Sequence, residues 1–211
     1  MAPGTAELLL KKARSAFEKH SHDEAGKLCK EAIVVVDKEM PGPAAARMRA
    51  DILLLMADTK DLTGAWIDAI LYLDGVTQIL IGLGDHKLAI ESIIRAGHIM
   101  SKRGKWTDAQ KKFEKAESLS SKHGNHRLLG RALAGEGTIL WRQGKYLEAI
   151  RHGERAAEMG KKTRDDELIG KAMSLISNVR FDRGEYEPSL AANREALASF
   201  EKAKDDLEIA R

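Results

Sequence analysis

The sequence contains few of the residues that interrupt or cross-link a fold. Its 211 residues include one cysteine, Cys29, and four prolines, and aromatic residues make up only 5%. A single cysteine excludes an internal disulfide framework and fits a reducing compartment, so we expect a cytoplasmic protein. So few prolines and aromatic residues favour soluble helices over disordered or collagen-like structure.

The sequence also lacks a long apolar run. The most hydrophobic window, residues 67–83, contains Asp68 and Asp74 and is interrupted by two glycines. Charged residues at this spacing are too costly inside a bilayer, so we expect no membrane span. The N-terminal residues do not resemble a signal peptide, because lysines follow a single short apolar run.

Charge is small overall but uneven along the chain. The formal net charge is +3, from 35 basic and 32 acidic residues. Residues 84–163 carry an excess of lysine and arginine, whereas residues 164–211 contain more acids than bases. The basic central band favours an acidic partner, but the small net charge argues against a dedicated nucleic-acid-binding domain.

A seven-residue pattern recurs every forty residues. In each copy a glycine is followed by tryptophan or tyrosine two positions later, and by alanine or serine five positions later. The four copies are TGAWIDA at 63–69, RGKWTDA at 103–109, QGKYLEA at 143–149 and RGEYEPS at 183–189. Four copies at one spacing indicate a repeat protein in which each repeat is one supersecondary element.

The pattern predicts two helices, A and B, in each repeat. An aspartate or asparagine precedes four of the A helices, where a short side-chain acceptor can bind the free N–H groups of the first turn. The predicted N-caps are Asp85, Asn125, Asp165 and Asp205. The glycine of the repeated pattern allows the chain to reverse between helix A and helix B at low conformational cost. The β-branched segment at 33–36 falls inside a helix B, so no strand is predicted.

Small residues recur at three fixed places in each repeat. They lie twelve residues before the alanine or serine of the repeated pattern, at that position itself, and seven residues after it. Two helices can cross closely only where their side chains are small, so we interpret these positions as the contact between helix A and helix B. This small-residue set comprises Ala57, Ala69, Gly97, Ala109, Ala116, Gly137, Ala149, Ala156, Ser177, Ser189 and Ala196.

Small residues at these places, with an aromatic residue after the turn glycine, resemble the tetratricopeptide repeat. The forty-residue period is similar to a long-repeat subgroup found in cell-polarity adaptors and in sensor arms of bacterial regulators. The resemblance implies an all-α fold, a right-handed superhelical α-solenoid of helix-turn-helix repeats. It implies a single array over 1–211, with residues 205–211 beginning a sixth helix A or forming a cap. The implied repeats are about 4–40, 43–82, 85–122, 126–162 and 166–203.

The same resemblance implies a function and a surface. Tetratricopeptide repeat arrays bind protein segments in a concave groove lined by their A helices, so we expect a non-enzymatic scaffold or adaptor for a protein or peptide. Basic side chains in the groove would bind the carboxylates of an acidic segment, and aromatic side chains would anchor it. The implied groove residues are His98, Lys102, Arg131, Thr138, Trp141, Arg142, Lys171, Asn178 and Phe181.

Two other interpretations remain open. The chain could be the sensor or oligomerisation arm of a longer regulatory protein. In either case we expect Leu190, Leu197 and Phe200 of the last helix to be incompletely buried, so we predict that this end pairs with another copy or with further sequence. The chain could also be a helical-repeat protein that binds RNA through its basic band. Trp106 and Tyr146 occupy the aromatic position of the repeat, where we expect core packing, so nucleic acid is the weaker prediction.

No catalytic, metal or cofactor site is predicted. The sequence contains two histidine clusters, His20–His22–Asp23 and His123–His126. Each lies near a helix end, where histidine can act as a favourable charge at the helix dipole, and a metal site needs three or four converging ligands. No serine or cysteine stands beside a histidine and an acid in a catalytic arrangement. We therefore predict no metal, no cofactor and no enzyme activity.

Overall fold

The structure is a computed structural model that describes residues 4–204. The predicted sixth helix or cap at 205–211, with the predicted N-cap Asp205, lies outside the described residues. Residues 4–204 form helices joined by short connections and contain no strand, which confirms the predicted all-α fold. The β-branched segment at 33–36 lies inside a helix, as predicted.

The helices alternate as A and B elements along the chain. None of those in the described part is both long and apolar enough to cross a membrane. In chain order they are α1 (Thr5–Glu18), α2 (His22–Glu39), α3 (Gly42–Leu62), α4 (Trp66–Gly82), α5 (His86–Lys102), α6 (Trp106–Lys122), α7 (His126–Arg142), α8 (Tyr146–Thr163), α9 (Asp166–Asp182) and α10 (Tyr186–Ala203).

Side-chain N-caps begin three of the A helices. In α5, α7 and α9 the Oδ1 atom of the preceding residue accepts a hydrogen bond from the backbone N–H three residues later. The distance is 3.2 Å for Asp85, 3.1 Å for Asn125 and 3.1 Å for Asp165, which confirms these three predictions. Two caps also form ion pairs with the preceding A helix, Arg47 with Asp85 at 2.6 Å and Arg127 with Asp165 at 2.5 Å.

The turns between helices use a left-handed backbone conformation. Gly104 and Gly144, for example, have φ values of 70° and 76°, a region that costs residues with a Cβ atom more than glycine. The predicted role of the turn glycines is therefore confirmed. The connections from helix B to the next helix A use the same conformation at Gly84 and Gly124, with φ of 75° and 65°, and at Arg164, with φ of 55°.

The chain divides into two compact units between Ile99 and Met100. In the first unit, α1 packs on α2, α2 on α3 and α3 on α4. Its main core cluster includes Leu10, Cys29 and Val36 from the first helix pair and Ile52 and Met56 from α3.

In the second unit, α6 packs on α7, α7 on α8, α8 on α9 and α9 on α10. Helix α7 also contacts α9, its counterpart in the next repeat. One core cluster of this unit joins Leu133, Ala156 and Ala172 from three successive helices, and another includes Leu140 and Val179.

Every member of the small-residue set is buried. Two crossings show the reason for the small size. A Cβ atom added to Gly137 would lie 3.3 Å from the carbonyl oxygen of Ala149, and the Ser177 hydroxyl lies 3.0 Å from the carbonyl oxygen of Ser189. The backbones of helices A and B therefore approach each other closely at these positions.

The last helix exposes part of its apolar side, as predicted. Leu190 and Leu197 are 47% and 43% exposed. The prediction was wrong for Phe200, which is only 3% exposed. The reason is that α9 has a glycine, Gly170, where the Phe200 ring packs. A Cβ atom at position 170 would lie 2.5 Å from that ring.

Candidate functional site

Most of the predicted groove residues lie on α7 and α9, two helices that contact each other. They occupy equivalent positions forty residues apart, at 131 and 171, 138 and 178, and 141 and 181. Thr138 and Trp141 are partly buried, and the others are exposed. We define the α7–α9 surface as Arg131, Thr138, Trp141, Arg142, Lys171, Asn178 and Phe181.

Trp141 is held in place from three sides. Its indole Nε1 donates a 2.7 Å hydrogen bond to Oδ2 of Asp182 at the end of α9. The guanidinium carbon of Arg142 lies 4.4 Å from the centre of the indole ring, within the range of a cation–π interaction. The ring also packs against the core cluster that includes Leu140 and Val179. The indole is thus a fixed element of this surface, which links α7 to α9.

Phe181 is an exposed aromatic residue, with 61% of its surface accessible. Its ring meets the Tyr186 ring edge-to-face at a centroid distance of 5.6 Å. Tyr186, at the aromatic position of the repeated pattern, is itself 66% exposed. Two adjacent aromatic rings are therefore left largely in contact with solvent at the α9–α10 turn.

We expected the aromatic residue of each repeated pattern to lie in the core, and this was wrong for two of these residues. Trp106 is 40% exposed and Tyr186 is 66% exposed, whereas Tyr146 is partly buried beside the Leu140 cluster. The position is the first residue of helix B, and its side chain lies at the edge of the helix pair. The small residues, rather than the aromatic ones, form the inner contact.

The basic residues of the α7–α9 surface differ in how far their charges are neutralised. Lys171 forms an ion pair with Glu167 one helical turn earlier. Arg131 is exposed and has no ion pair with any residue in 4–204, and Arg142 lies against the face of Trp141. The uncompensated positive charge on this surface is therefore on the arginines of α7.

Three more predicted groove residues either hydrogen-bond within their own helix or lie on α5. The Thr138 hydroxyl donates to the carbonyl oxygen of Ala134 in its own helix at 2.9 Å. Lys102 is exposed at the C-terminal end of α5, and His98 belongs to the first unit. Neither of these two lies on α7 or α9.

A polar cluster that no sequence motif signals lies between α6, α7 and α8. One ligand atom each from Glu117, Glu136 and His152 lies within 4.8 Å of the others. Nε2 of His152 lies 3.7 Å from Oε2 of Glu136. Arg155 pairs with Oε1 of Glu117 at 2.8 Å.

Glu136 is the most unusual residue of this cluster. It is only 8% exposed, and its Oε2 atom has no hydrogen-bond partner among the described residues. The pKa of Glu136 is raised to about 7, mainly by burial, then by the negative charges of Glu117 and Glu114 and by a side-chain hydrogen bond with Glu117, against the opposing effect of Arg155. A carboxyl group with these properties is expected to hold a proton or a cation.

The histidines at positions 20 and 22 make aromatic ring contacts. The rings of His20 and His22 lie 6.1 Å apart, and His22 meets the Phe17 ring edge-on at 5.5 Å. Within residues 4–204, neither predicted histidine cluster brings three ligand atoms together. The single thiol, Cys29, is fully buried, and burial raises its pKa to about 11.

Comparison with known protein families identifies the repeat. A family profile described as tetratricopeptide repeat matches residues 89–162 and 128–202, which together cover more than half of the chain. The chain belongs to the tetratricopeptide repeat family. A comparison with curated proteins finds no match. The predicted family membership is thus confirmed for this tetratricopeptide repeat (TPR) protein, while its assignment to the long-repeat subgroup stays a prediction.

Solved structures share the fold at low sequence identity. The apo form of RapI superposes with a TM-score of 0.82 at 13% identity, covering 95% of this chain and 72% of RapI. Aspartyl phosphate phosphatase F from Bacillus subtilis gives 0.83 at 16% identity, covering 97% of this chain and 52% of the phosphatase. TPR-like repeats of a putative kinesin light chain from Podosopora anserina give 0.68 at 15% identity, covering 94% and 96%. These similarities establish an all-α TPR solenoid and no more.

Proposed function

We propose that this TPR protein is a non-enzymatic scaffold that binds an acidic segment of another protein on the α7–α9 surface. The observation that carries the proposal is the combination of a fixed indole, an exposed phenyl ring and uncompensated guanidinium groups on two contacting helices. Arginine and aromatic side chains are the residues most often responsible for affinity at protein interfaces. The overall scaffold role also agrees with family membership.

The fixed position of Trp141 lowers the cost of binding a partner segment. The ring is already ordered by Asp182 and Arg142, so a partner does not have to immobilise it. Ordering a mobile side chain costs about 0.5–1.5 kcal/mol, and a receptor whose side chains are already placed avoids that loss. Phe181, which is exposed in the free protein, is a site for an apolar side chain of the partner.

The basic residues without an acidic partner should contribute most to binding an acidic segment. A guanidinium group can bind a carboxylate through two parallel hydrogen bonds, and this geometry is stronger than a single contact. Arg131 and Arg142 have no acidic partner among residues 4–204, whereas Lys171 is already paired with Glu167. The main electrostatic contribution is therefore assigned to Arg131 and Arg142 rather than to Lys171.

Affinity capture from native lysate tests the proposal. Captured proteins are quantified for the parent protein and for Arg131→Glu/Arg142→Glu. The matched control is Arg151→Glu/Lys162→Glu, which reverses two exposed charges on α8 of the same unit. We expect at least one partner to fall by about tenfold or more with the α7 variant and to be retained by the α8 control.

A third variant separates the apolar contribution from the charge. Phe181→Ala removes an exposed ring with little expected effect on the fold, and it should reduce recovery of the same partner. Equal recovery of every captured protein by the parent and by the α7 variant would contradict the proposed surface. Equal losses with the α7 and α8 variants would indicate nonspecific charge attraction and would also count against it.

A second candidate function, self-association through α10, is favoured by a separate observation. Leu190 and Leu197 are both exposed and lie seven residues apart, on the same side of the helix. Pairing of this side with a second copy would remove both from water. The expected result is a concentration-dependent rise in mass by light scattering that Leu190→Glu/Leu197→Glu abolishes. A constant monomer mass at all concentrations would exclude it.

A further inference from the structure

We propose that Glu117, Glu136 and His152 form a binding site for one divalent transition-metal ion of the zinc class. The site shares no residue with the α7–α9 surface and does not depend on the proposed function. Each ligand comes from a different helix, Glu117 from α6, Glu136 from α7 and His152 from α8. A bound ion therefore links three successive helices of the second unit.

The positions of the ligand atoms suit a small ion. Zinc binds imidazole nitrogen and carboxylate oxygen at about 2.0–2.2 Å, which places tetrahedral ligand atoms about 3.3 Å apart. Nε2 of His152 and Oε2 of Glu136 are already 3.7 Å apart, and all three ligand atoms lie within 4.8 Å of one another. Small side-chain rotations are enough to bring these atoms to bonding distance.

The hydrogen bond on the far side of His152 prepares the ring for metal binding. Nδ1 of His152 lies 3.0 Å from the backbone carbonyl oxygen of Glu148, which can only accept a hydrogen bond. The Nδ1–H group is therefore the donor, and in the neutral ring the lone pair is on Nε2, the nitrogen that faces Glu136. Metal-binding histidines commonly make this contact, because it fixes both the tautomer and the ring orientation.

The buried carboxylate oxygen provides an independent reason to expect a cation. Glu136 is more than nine-tenths buried, and its Oε2 atom points into the cluster without a hydrogen-bond partner among the described residues. A buried carboxylate oxygen that accepts no hydrogen bond is costly, and an ion bound at Oε2 removes that cost. The local charge also favours a cation, since Glu114 and Glu117 add two further carboxylates.

The ligand types select the class of metal. Calcium and magnesium prefer shells made only of oxygen, whereas imidazole nitrogen suits zinc, cobalt and nickel. Three protein ligands leave one tetrahedral position for water. Arg155 lies beside the site and pairs with Glu117, so its positive charge opposes the ion and sets a limit on affinity.

Calorimetric titration of the chelator-treated full chain with Zn²⁺ tests the site. Co²⁺ provides a second readout, because a tetrahedral site with nitrogen and oxygen ligands gives it a visible absorption band. We expect one equivalent to bind to the parent protein and to raise its melting temperature. Glu136→Gln and His152→Gln should each weaken binding by about tenfold or more, because each removes a ligand.

Two further variants complete the design. His126→Gln makes the same change at a histidine of α7 outside the cluster, and binding should stay at the parent level. Arg155→Gln removes the opposing charge, and binding should become tighter. Glu136→Gln keeps the side-chain volume and removes a buried charge, so its fold is retained, and circular dichroism of each variant checks this.

The outcomes distinguish an ion held by this cluster from a proton on Glu136 and from an ion at the protein surface. No binding to the parent protein would overturn the proposal, and the Glu136 carboxyl would then hold a proton instead. Binding that persists in Glu136→Gln and His152→Gln, or that disappears in His126→Gln, would place the ion at surface histidines and would also overturn it. Weaker binding in Arg155→Gln would contradict the position of the ion beside Glu117.

Discussion

Ser177 and Ser189 exchange hydrogen bonds where α9 crosses α10. The Ser177 hydroxyl donates to the Ser189 carbonyl oxygen at 3.0 Å, and the Ser189 hydroxyl donates to the Ser177 carbonyl oxygen at 2.9 Å. The preceding repeat has Gly137 and Ala149 at the same two positions and makes its close crossing without hydroxyl groups. Small size is therefore the requirement that the repeats share, and the serines satisfy their polar atoms locally.

The first prediction is that residue size matters more than polarity at this crossing. Ser177→Ala should lower the free energy of unfolding by only about 1 kcal/mol, because one buried hydrogen bond is lost. Ser177→Val should cost about 2–3 kcal/mol, since the added methyl groups force the two helices apart. Urea unfolding followed by circular dichroism measures both. Equal costs for the two variants would mean that the hydroxyl, and not the small volume, is required.

The second prediction concerns Gly135, which lies under a core aromatic ring. A Cβ atom at this position would lie 2.4 Å from the Phe113 ring, and that ring is fully buried. Gly135→Ala should therefore lower the free energy of unfolding by about 1–3 kcal/mol. Gly26→Ala is the matched control in another helix. An added Cβ meets nothing within 4 Å there, so the gain in helix propensity should stabilise the protein by up to about 1 kcal/mol.

The same two variants can contradict this packing scheme. If both alanine substitutions stabilise the protein, helix propensity dominates and the Phe113 ring has room to move. If both destabilise it, the environment of Gly26 in α2 is more crowded than the structure shows. Thermal unfolding is a sufficient measurement, because only the opposite signs of the two changes are needed.

The repeating features were predictable from the sequence because their causes are local. An N-cap such as Asp165 needs only a short acceptor before a helix, and a turn glycine such as Gly144 needs only a positive φ. The burial of the small-residue set follows from a fixed spacing along two helices. Features with this kind of cause recur in several repeats, and the forty-residue period makes them visible.

Features that depend on contacts between particular repeats were not predictable in this way. Glu136 and His152 are sixteen positions apart on different helices, and no motif signals that the two side chains converge. Burial of Phe200 depends on glycine at position 170, which the repeat pattern does not specify. The exposure of Trp106 shows the converse, because a recurring aromatic residue is not necessarily part of the core.

The third prediction concerns the backbone conformation of the connection from helix B to the next helix A. Gly84 and Gly124 have positive φ at this position, and Arg164 adopts the same conformation with φ of 55°. The left-handed region costs residues with a Cβ atom roughly 1–2 kcal/mol. Arg164→Gly should therefore raise the free energy of unfolding by about 1 kcal/mol, and Gly124→Ala should lower it by a similar amount. A loss of stability in Arg164→Gly would show that the arginine side chain contributes more than the strain costs.

The last prediction concerns acid stability and the N-cap of α5. Burial raises the pKa of Asp85, but the 2.6 Å hydrogen bond from Arg47 and the N–H of Leu88 outweigh it, and the pKa is lowered overall. A carboxyl group whose pKa is lower in the folded state stabilises the protein at pH values above its unfolded-state pKa, about 3.9. This contribution disappears as the pH falls through the folded-state pKa.

Asp85→Asn keeps the cap oxygen, as Asn125 does in the second unit, but removes the charge. Its stability should be about 0.5–1 kcal/mol below the parent near pH 7, and this difference should shrink as the pH falls below the ordinary aspartate pKa, as a series of urea titrations from neutral to acid pH would show. A constant difference between parent and variant across this pH range would mean that the ion pair with Arg47 contributes nothing and that Asp85 acts only as a cap.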